Sequence, residues 1–219
     1  MSRAVSAVAL VVALLATAPA VGQERPWSLY AGASVAAPYQ RGERGEISTT
    51  YVTAPGGWTV GWAALAGLFV SPRLSVEVEL SATGVMKATE HSRYDMTFFE
   101  ERRDKALAVN ARLHFRPRRR LDIEPVIGFL AVRGEQWTKT RYEHSWAQPY
   151  TTPREHVVMS PVAGFSVGLD LRIGGRHLAV VPSFRWHVVY RGEVGENRYP
   201  GSGLPASVLR PAVGIRYDF

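Results

Sequence analysis

The chain has 219 residues, with 26 Lys and Arg against 19 Asp and Glu, and a net charge of +7. It contains no cysteine, which excludes both a disulfide framework and lipid attachment through an N-terminal cysteine. A basic chain is compatible with nucleic-acid binding only where the positive charge gathers on one face, so the placement of the charges decides that question.

The first 20 residues have the pattern of a secretory signal peptide. Arg3 supplies a positive start, residues 4–20 are uncharged and mostly apolar, and Ala18, Ala20 and Gly22 are small residues at the end of the run. An uncleaved membrane anchor is the alternative, but the run is at the short end for a membrane span. We therefore expect residues 1–20 to be removed on export and residues 21–219 to form one mature domain.

The mature chain then alternates between apolar and polar residues, which predicts strands with one apolar and one polar face. Eight such segments follow in order, at residues 27–35, 58–70, 74–83, 107–115, 121–129, 160–173, 177–190 and 209–219. Short connections at 71–73, 116–120 and 174–175 alternate with long polar ones near 37–57, 84–104, 133–156 and 191–205. This order predicts an all-β fold, a closed antiparallel barrel of eight strands.

Alternation leaves open whether the apolar face contacts lipid or forms the core of a soluble, lipocalin-like barrel. The polar face combines glycines with large charged groups, as expected inside a narrow barrel. Aromatic residues lie near the strand ends of the apolar face, like the girdles of membrane barrels: Trp27, Trp58, Phe115, Tyr190, Tyr217 and Phe219. Since only closure pairs every backbone group in lipid, we expect a transmembrane barrel.

The last predicted strand resembles a known C-terminal signal. Val213, Ile215, Tyr217 and the terminal Phe219 alternate in a pattern that resembles the C-terminal assembly signal of bacterial outer-membrane proteins. With the signal peptide and the short-turn, long-loop order, the mature chain resembles small barrels of the OmpA/OmpX kind. The resemblance implies a bacterial outer-membrane location, insertion by the outer-membrane assembly machinery, periplasmic short turns and extracellular long loops. Outer-membrane lipid and lipopolysaccharide are then the expected surroundings.

The inward face is predicted to carry a charge network. Its six acids and five bases are Glu77, Glu79, Asp122, Glu124, Asp170 and Asp218, with Arg112, Arg172, Arg185, Arg210 and Arg216. A turn centred on Arg118 would place Arg112 directly opposite Glu124, with Glu77 at similar height on the other side. Buried ion pairs persist only when well matched, so near-equal numbers favour a solid, salt-bridged interior. A gated polar pore is the alternative.

Two further expectations concern strand register. A two-residue turn at 174–175 places Leu171 opposite Leu178. Proline has no N–H to donate to the ladder, so bulges are expected where prolines fall inside the predicted strands, at Pro125, Pro161, Pro182 and Pro211.

The basic excess lies in the short turns. Without Arg3 the excess is +6, which equals the six turn arginines: Arg73, Arg116, Arg118, Arg119, Arg120 and Arg176. The long loops are therefore close to balanced, which argues against nucleic-acid binding. We interpret residues 118–120 as a solvated turn, with contact to phospholipid headgroups or peptidoglycan carboxylates as the alternative.

The sequence shows no catalytic motif of the outer-membrane lipid A acylases or deacylases. Ser183 and His187 share a face but lie too far apart along a strand for a nucleophile–base contact, and the histidines lack ligand spacing, so no metal or cofactor is expected. The long loops at 98–103 and 137–150 mix aromatic residues with both charge signs, as binding surfaces do. We expect a non-enzymatic envelope-structural or surface-interaction role, with a small porin or a lipid A-modifying enzyme as alternatives. The third and fourth strands could also extend beyond the membrane as a hairpin whose edge recruits a partner strand.

Overall fold

The computed structural model describes residues 28–40, 44–47, 50–53, 56–91, 96–118, 120–143, 148–158, 160–175, 177–189 and 206–219. The predicted signal peptide lies outside these residues, as do Trp27, Tyr190, Arg119 and Arg176. Among the described residues there is no helix long and apolar enough to cross a membrane.

Eight main strands form the fold. They are β1 (Leu29–Ala36), β2 (Gly61–Ser71), β3 (Leu74–Ala82), β4 (Met96–Leu113), β5 (Leu121–Tyr142), β6 (Val162–Gly174), β7 (Leu178–Val189) and β8 (Ala206–Asp218). Shorter strands are Tyr39–Gln40, Arg44–Ile47, Thr50–Thr53, Gly57–Trp58, Met86–His91, Phe115–Arg118, Tyr150–Thr151 and Glu155–Val158. The eight predicted strands are confirmed, and β4 and β5 are much longer than predicted.

The sheet closes on itself. Each main strand pairs antiparallel with the next, and β1 pairs with β8 from Tyr30↔Asp218 to Ala36↔Ala212. Closure removes the free edges that a sheet would otherwise present. The predicted eight-stranded antiparallel barrel is confirmed.

The polarity of the barrel is the reverse of that of a soluble protein. Phe129 is 81% exposed and Ile127 63% exposed on the outside, whereas Glu77 and Glu124 are buried inside. An apolar exterior and a charged interior suit a barrel surrounded by lipid. The apolar outer face of β5 runs over residues 121–131, the length that a membrane-spanning strand requires.

Beyond the apolar zone, β4 and β5 continue as a paired sheet. Their register runs without interruption from Arg112↔Val126 to Met96↔Tyr142. Met86–His91 pairs with the free edge of β4, and Tyr150–Thr151 and Glu155–Val158 pair with β5. We call this assembly, residues 86–91, 96–105, 132–142, 150–151 and 155–158, the projecting sheet. Much of the predicted loops at 84–104 and 133–156 is therefore strand.

Two predicted registers are wrong. Arg112 lies opposite Val126 rather than Glu124. Gly174 lies opposite Ala179 and Gly175 N donates to Leu178 O at 2.9 Å, so Leu171 does not face Leu178. Both displacements are even numbers of residues, which keeps every side chain on its predicted face. Alternation fixes the face of a strand but not its position along the neighbour.

The predicted bulges at prolines are also wrong. Pro125 pairs with Leu169, Pro182 with Val213 and Pro211 with Phe184 in unbroken register, and Pro161 precedes β6. Among the described pairings, register shifts occur instead between Phe69 and Ser71 of β2 and between Phe115 and Arg118 of the short strand that pairs with β5. In an antiparallel strand each N–H faces only one neighbour, so proline removes one bond without inserting a residue.

Candidate functional site: barrel interior and projecting sheet

The middle of the lumen is filled by ion pairs around Arg112. Its Nη2 lies 2.5 Å from Glu77 Oε2, and its Nη1 lies 2.5 Å from Glu124 Oε2 and 2.8 Å from Asp170 Oδ2. Arg112 thus sits between Glu77 and Glu124 although Glu124 is not its direct partner in the ladder. A long guanidinium side chain spans the two-residue difference.

Two further arginines complete this group. Arg185 Nη2 lies 2.8 Å from Asp170 Oδ2 and 3.3 Å from Glu77 Oε1. Arg216 donates to both oxygens of Glu124, at 2.8 and 3.0 Å. We call the six residues Glu77, Glu124, Asp170, Arg112, Arg185 and Arg216 the central network. Three bases balance three acids, the matching that buried charge requires.

Tyr30 belongs to the same layer. Its hydroxyl donates to Glu77 Oε2 at 3.2 Å, and its ring centroid lies 4.8 Å from the guanidinium carbon of Arg216 and 5.8 Å from that of Arg112. Cations over an aromatic face are attracted by its quadrupole. The sequence placed Tyr30 on the polar face, and an aromatic residue among small and charged ones was the available signal for this role.

The other predicted interior charges lie above and below the central network. Towards the extracellular end, Arg210 Nη2 lies 2.5 Å from Glu79 Oε1. At the end with the short turns, Arg172 Nη2 donates to Asp218 Oδ2 at 2.8 Å, and its Nη1 lies 3.9 Å from Asp122 Oδ2. The predicted residues therefore all lie on the inward side, but in three groups along the axis.

The lumen has little free volume. One cavity of about 20 Å³ borders the central network, and one of about 40 Å³ lies nearer the extracellular end, between Arg102, Asp104 and Arg210. Each has room for about one to three water molecules. Both cavities are small, and the ion pairs around Arg112 occupy the middle of the lumen, which favours the salt-bridged interior over the pore.

Ser75, His114 and Glu124 form a hydrogen-bonded chain that the sequence pattern did not predict. Ser75 Oγ lies 2.8 Å from His114 Nε2, and His114 Nδ1 lies 3.1 Å from Glu124 Oε1. This is the order of groups in a nucleophile–base–carboxylate triad. All three residues are buried, and the Phe69 ring packs on His114 with a centroid distance of 4.7 Å. The Ser75 hydroxyl has no exposed surface in this structure.

His114, Asp122 and Glu124 also bring ligand-type atoms within 4.8 Å of one another. Arginines already occupy both carboxylates: Arg216 and Arg112 bind Glu124, and Arg116 donates to Asp122 at 3.2 Å. Bound guanidinium groups supply the positive charge that a metal ion would otherwise bring. The group is better explained as part of the interior ion pairing.

The projecting sheet carries an ordered aromatic and charged outer surface. Trp137 stacks on His156 at a centroid distance of 4.9 Å, and the Arg154 guanidinium lies 5.3 Å above the Trp137 ring. Arg154 also pairs with Glu101, which lies 3.4 Å from Lys87 Nζ. These contacts join the two outer edges of the sheet to its central strands.

Closer to the membrane, Lys105 donates to Glu135 at 2.7 Å. This hydrogen bond lowers the pKa of the Glu135 carboxyl below its ordinary value. Arg133 lies directly opposite Lys105 in the ladder. Two cations therefore face each other across the strands.

No protein-family model matches the sequence, and no curated protein matches it. Among solved structures, the chain is similar to a major outer-membrane protein of Thermus thermophilus, with a TM-score of 0.50 and 14% identity over 86% of this chain and 99% of the other. It is also similar to Ail of Yersinia pestis (TM-score 0.46, 12% identity, 89% and 100% covered) and to Neisserial surface protein A (TM-score 0.48, 10% identity, 87% and 97% covered).

At these identities the likeness concerns the fold, and of these three structures the Thermus protein has the highest TM-score. The predicted resemblance to small outer-membrane barrels is confirmed at the level of the fold. The chain therefore has the fold of bacterial outer-membrane β-barrels, with the apolar exterior and charged interior that suit a membrane-spanning barrel.

Proposed function

We propose that this protein is a non-enzymatic surface-interaction barrel, in which a closed membrane domain holds the projecting sheet outside the cell. The alternative is an envelope-structural role, for which the barrel alone would be sufficient. The two roles differ in whether the protein needs the projecting sheet to perform them.

The main observation in support of this proposal is that β4 and β5 remain paired beyond the apolar zone. Residues 132–142 of β5 lie beyond the apolar zone and remain hydrogen-bonded to β4 throughout. At about 3.4 Å per residue, these eleven residues extend for about 37 Å along the strand. Mobile loops need no such pairing, whereas a surface that binds a partner gains from being held rigid before binding.

The interior supports a role in which the barrel anchors the projecting sheet, rather than a role in transport or catalysis. The central network fills the lumen, and the hydroxyl of Ser75 is buried beneath packed side chains. Among the described residues the small-porin alternative has no observation in its favour, and the lipid A-modifying alternative has only the buried chain of Ser75, His114 and Glu124.

A shortened variant tests the proposal. Lys87 pairs with Glu101, Glu101 with Trp137, and Trp137 with His156. Replacing residues 88–100 and 138–155 each by an Asn-Gly turn therefore shortens the sheet at one height without changing the register of the barrel. A heat-dependent shift in gel mobility of the outer-membrane fraction verifies that the shortened barrel folds.

Cells producing the full chain, the shortened chain or neither are then compared for attachment to polystyrene and to cells of their own strain. We expect the shortened chain to lose the attachment that the full chain confers. If it attaches like the full chain, the surface role is wrong. If it also restores detergent resistance to a deletion strain, the envelope-structural form is the correct one.

A further inference from the structure

Residues that lie directly opposite one another on neighbouring strands form a row across the sheet. The first charged row above the apolar zone lies on β4 and β5. The last apolar row on the outer face is Leu80, Leu107, Ala131 and Ala163, joined strand to strand by the ladder. In the next row towards the extracellular end, Lys105 lies opposite Arg133. These two cations are therefore at the level where lipid acyl chains give way to headgroups.

The two faces of the projecting sheet carry different net charges. Residues on the outward side, together with the adjoining Arg154, include six exposed cations and two half-buried acids, a net charge of +4: Lys87, Arg103, Lys105, Arg133, Lys139 and Arg154, with Glu101 and Glu135. The acids Glu100 and Asp104 are instead buried on the opposite side of β4, together with Arg102, which pairs with Asp104 at 2.8 Å. The loops are balanced in total, as predicted, but their outer face is basic.

The pairing of Lys105 with Arg133 has an energetic cost. Like charges directly opposite in an antiparallel pair repel each other. Glu135 neutralises Lys105, but Arg133 and Lys139 form no ion pair with any residue that the structure describes. Arg141 adds no net charge because it pairs with Glu143 at 3.0 Å. An external anion at this height would supply the counter-charge that Arg133 lacks among the described residues.

We propose that Lys105 and Arg133, with Arg103 one row above, bind the phosphate groups of phosphorylated glycolipids in the surrounding outer leaflet. Arginine recognises phosphate through two parallel N–H bonds, and lysine adds a point charge. Lipid-facing Leu107 and Ala131 lie directly below and contact the acyl chains of the same lipid. The inference rests on the extracellular position of the projecting sheet, which the proposed function shares, but it needs no partner molecule.

The experiment uses the mature barrel, refolded in a zwitterionic detergent, with purified lipid A as the probe. Lipid A with two phosphates, with one and with none is titrated, and bound lipid is counted by native mass spectrometry. The test variant is Lys105→Gln with Arg133→Gln. The matched control removes two exposed arginines at the opposite rim, Arg73→Gln with Arg120→Gln.

We expect the two-phosphate form to bind best, the double variant to bind it about tenfold more weakly, and the rim control to bind like the unchanged protein. Arg133→Lys keeps the charge but loses the two parallel N–H bonds, so its binding is expected to lie between that of the unchanged protein and that of Arg133→Gln. Millimolar inorganic phosphate does not displace the lipid, because it lacks the apolar contacts. If the double variant shows no heat-dependent gel mobility and has therefore not folded, the single variant Arg133→Gln is tested instead. It is expected to bind the two-phosphate form more weakly than the unchanged protein, with a smaller loss than the double variant.

Equal binding by the double variant, or an equal loss in the rim control, would overturn the proposal. Equal binding of lipid A with two, one or no phosphates would also overturn the proposal. Displacement by inorganic phosphate would show that the cations bind free phosphate instead. Since cell attachment is not measured here, these results are independent of the test of the proposed function.

Discussion

The ring of Tyr30 lies directly over Gly67, its cross-strand partner on β2. A Cβ atom on Gly67 would come within 3.0 Å of three atoms of that ring. The missing side chain gives the ring its place beneath Arg216 and Arg112, where its hydroxyl reaches Glu77 and Ser75. A glycine on the polar face thus sets the position of an aromatic ring in the central layer.

Gly67→Ala is expected to destabilise the barrel by about 1–3 kcal/mol, because the added methyl group displaces Tyr30 within a filled interior. The midpoint of urea unfolding, followed by heat-dependent gel mobility, measures the effect. Gly175→Ala is the matched control, since the nearest atom to its Cβ would be 3.8 Å away. Equal midpoints for the two variants would show that the ring is free to move.

Arg112→Met is expected to destabilise the barrel by about 3–5 kcal/mol, because it leaves buried acids without their shared cation. Arg73→Met, at an exposed position whose side chain forms no ion pair with any described residue, is the control and is expected to change stability by less than about 0.5 kcal/mol. Adding Glu124→Gln to Arg112→Met should restore part of the loss. A double variant as unstable as the sum of the single ones would show that the two charges act independently.

The lipid-facing side of β5 can be tested with single cysteines, because the chain has none of its own. A fluorophore on Phe129→Cys is expected to be quenched by spin-labelled lipid, since Phe129 lies on the exposed outer face. The next residue, Leu130, points into the barrel and is buried, so a label on Leu130→Cys should be shielded. The reverse pattern of quenching would mean that the apolar face is not in lipid.

The filled lumen predicts that the protein does not conduct. In planar bilayers the unchanged barrel should give no stable current steps, because the ion pairs of the central network occupy the middle of the lumen. Vesicles that contain a known large porin provide the positive control. Regular steps from this protein would favour the small-porin alternative.

The chain of Ser75, His114 and Glu124 is expected to be structural. Lipid A from cells with and without the protein should have the same mass spectrum. A fluorophosphonate probe should label the folded barrel no better than the variant Ser75→Ala, because Ser75 is fully buried. Selective labelling of Ser75 in the folded protein would reopen the enzymatic alternative.

The projecting sheet shows where sequence patterns fail. Residues 96–105 and 132–142 pair as strands, yet their outer side carries Lys105, Arg103 and Arg133 instead of apolar residues. With polar groups on both faces the period of two disappears from the hydrophobicity, so these stretches were predicted as loops. Their strand structure comes from pairing with each other, as a continuation of the barrel register.

The sequence by itself determined the eight strands, the face on which each side chain lies and the set of interior charges. Those properties depend on alternation within one strand, which is local. Only the tertiary structure decided which charges meet: Arg216 reaches Glu124 across 92 residues of sequence, and Arg185 reaches Glu77 across 108. Such contacts depend on turn position and on closure between β1 and β8, where a shift of two residues keeps every face but changes every partner.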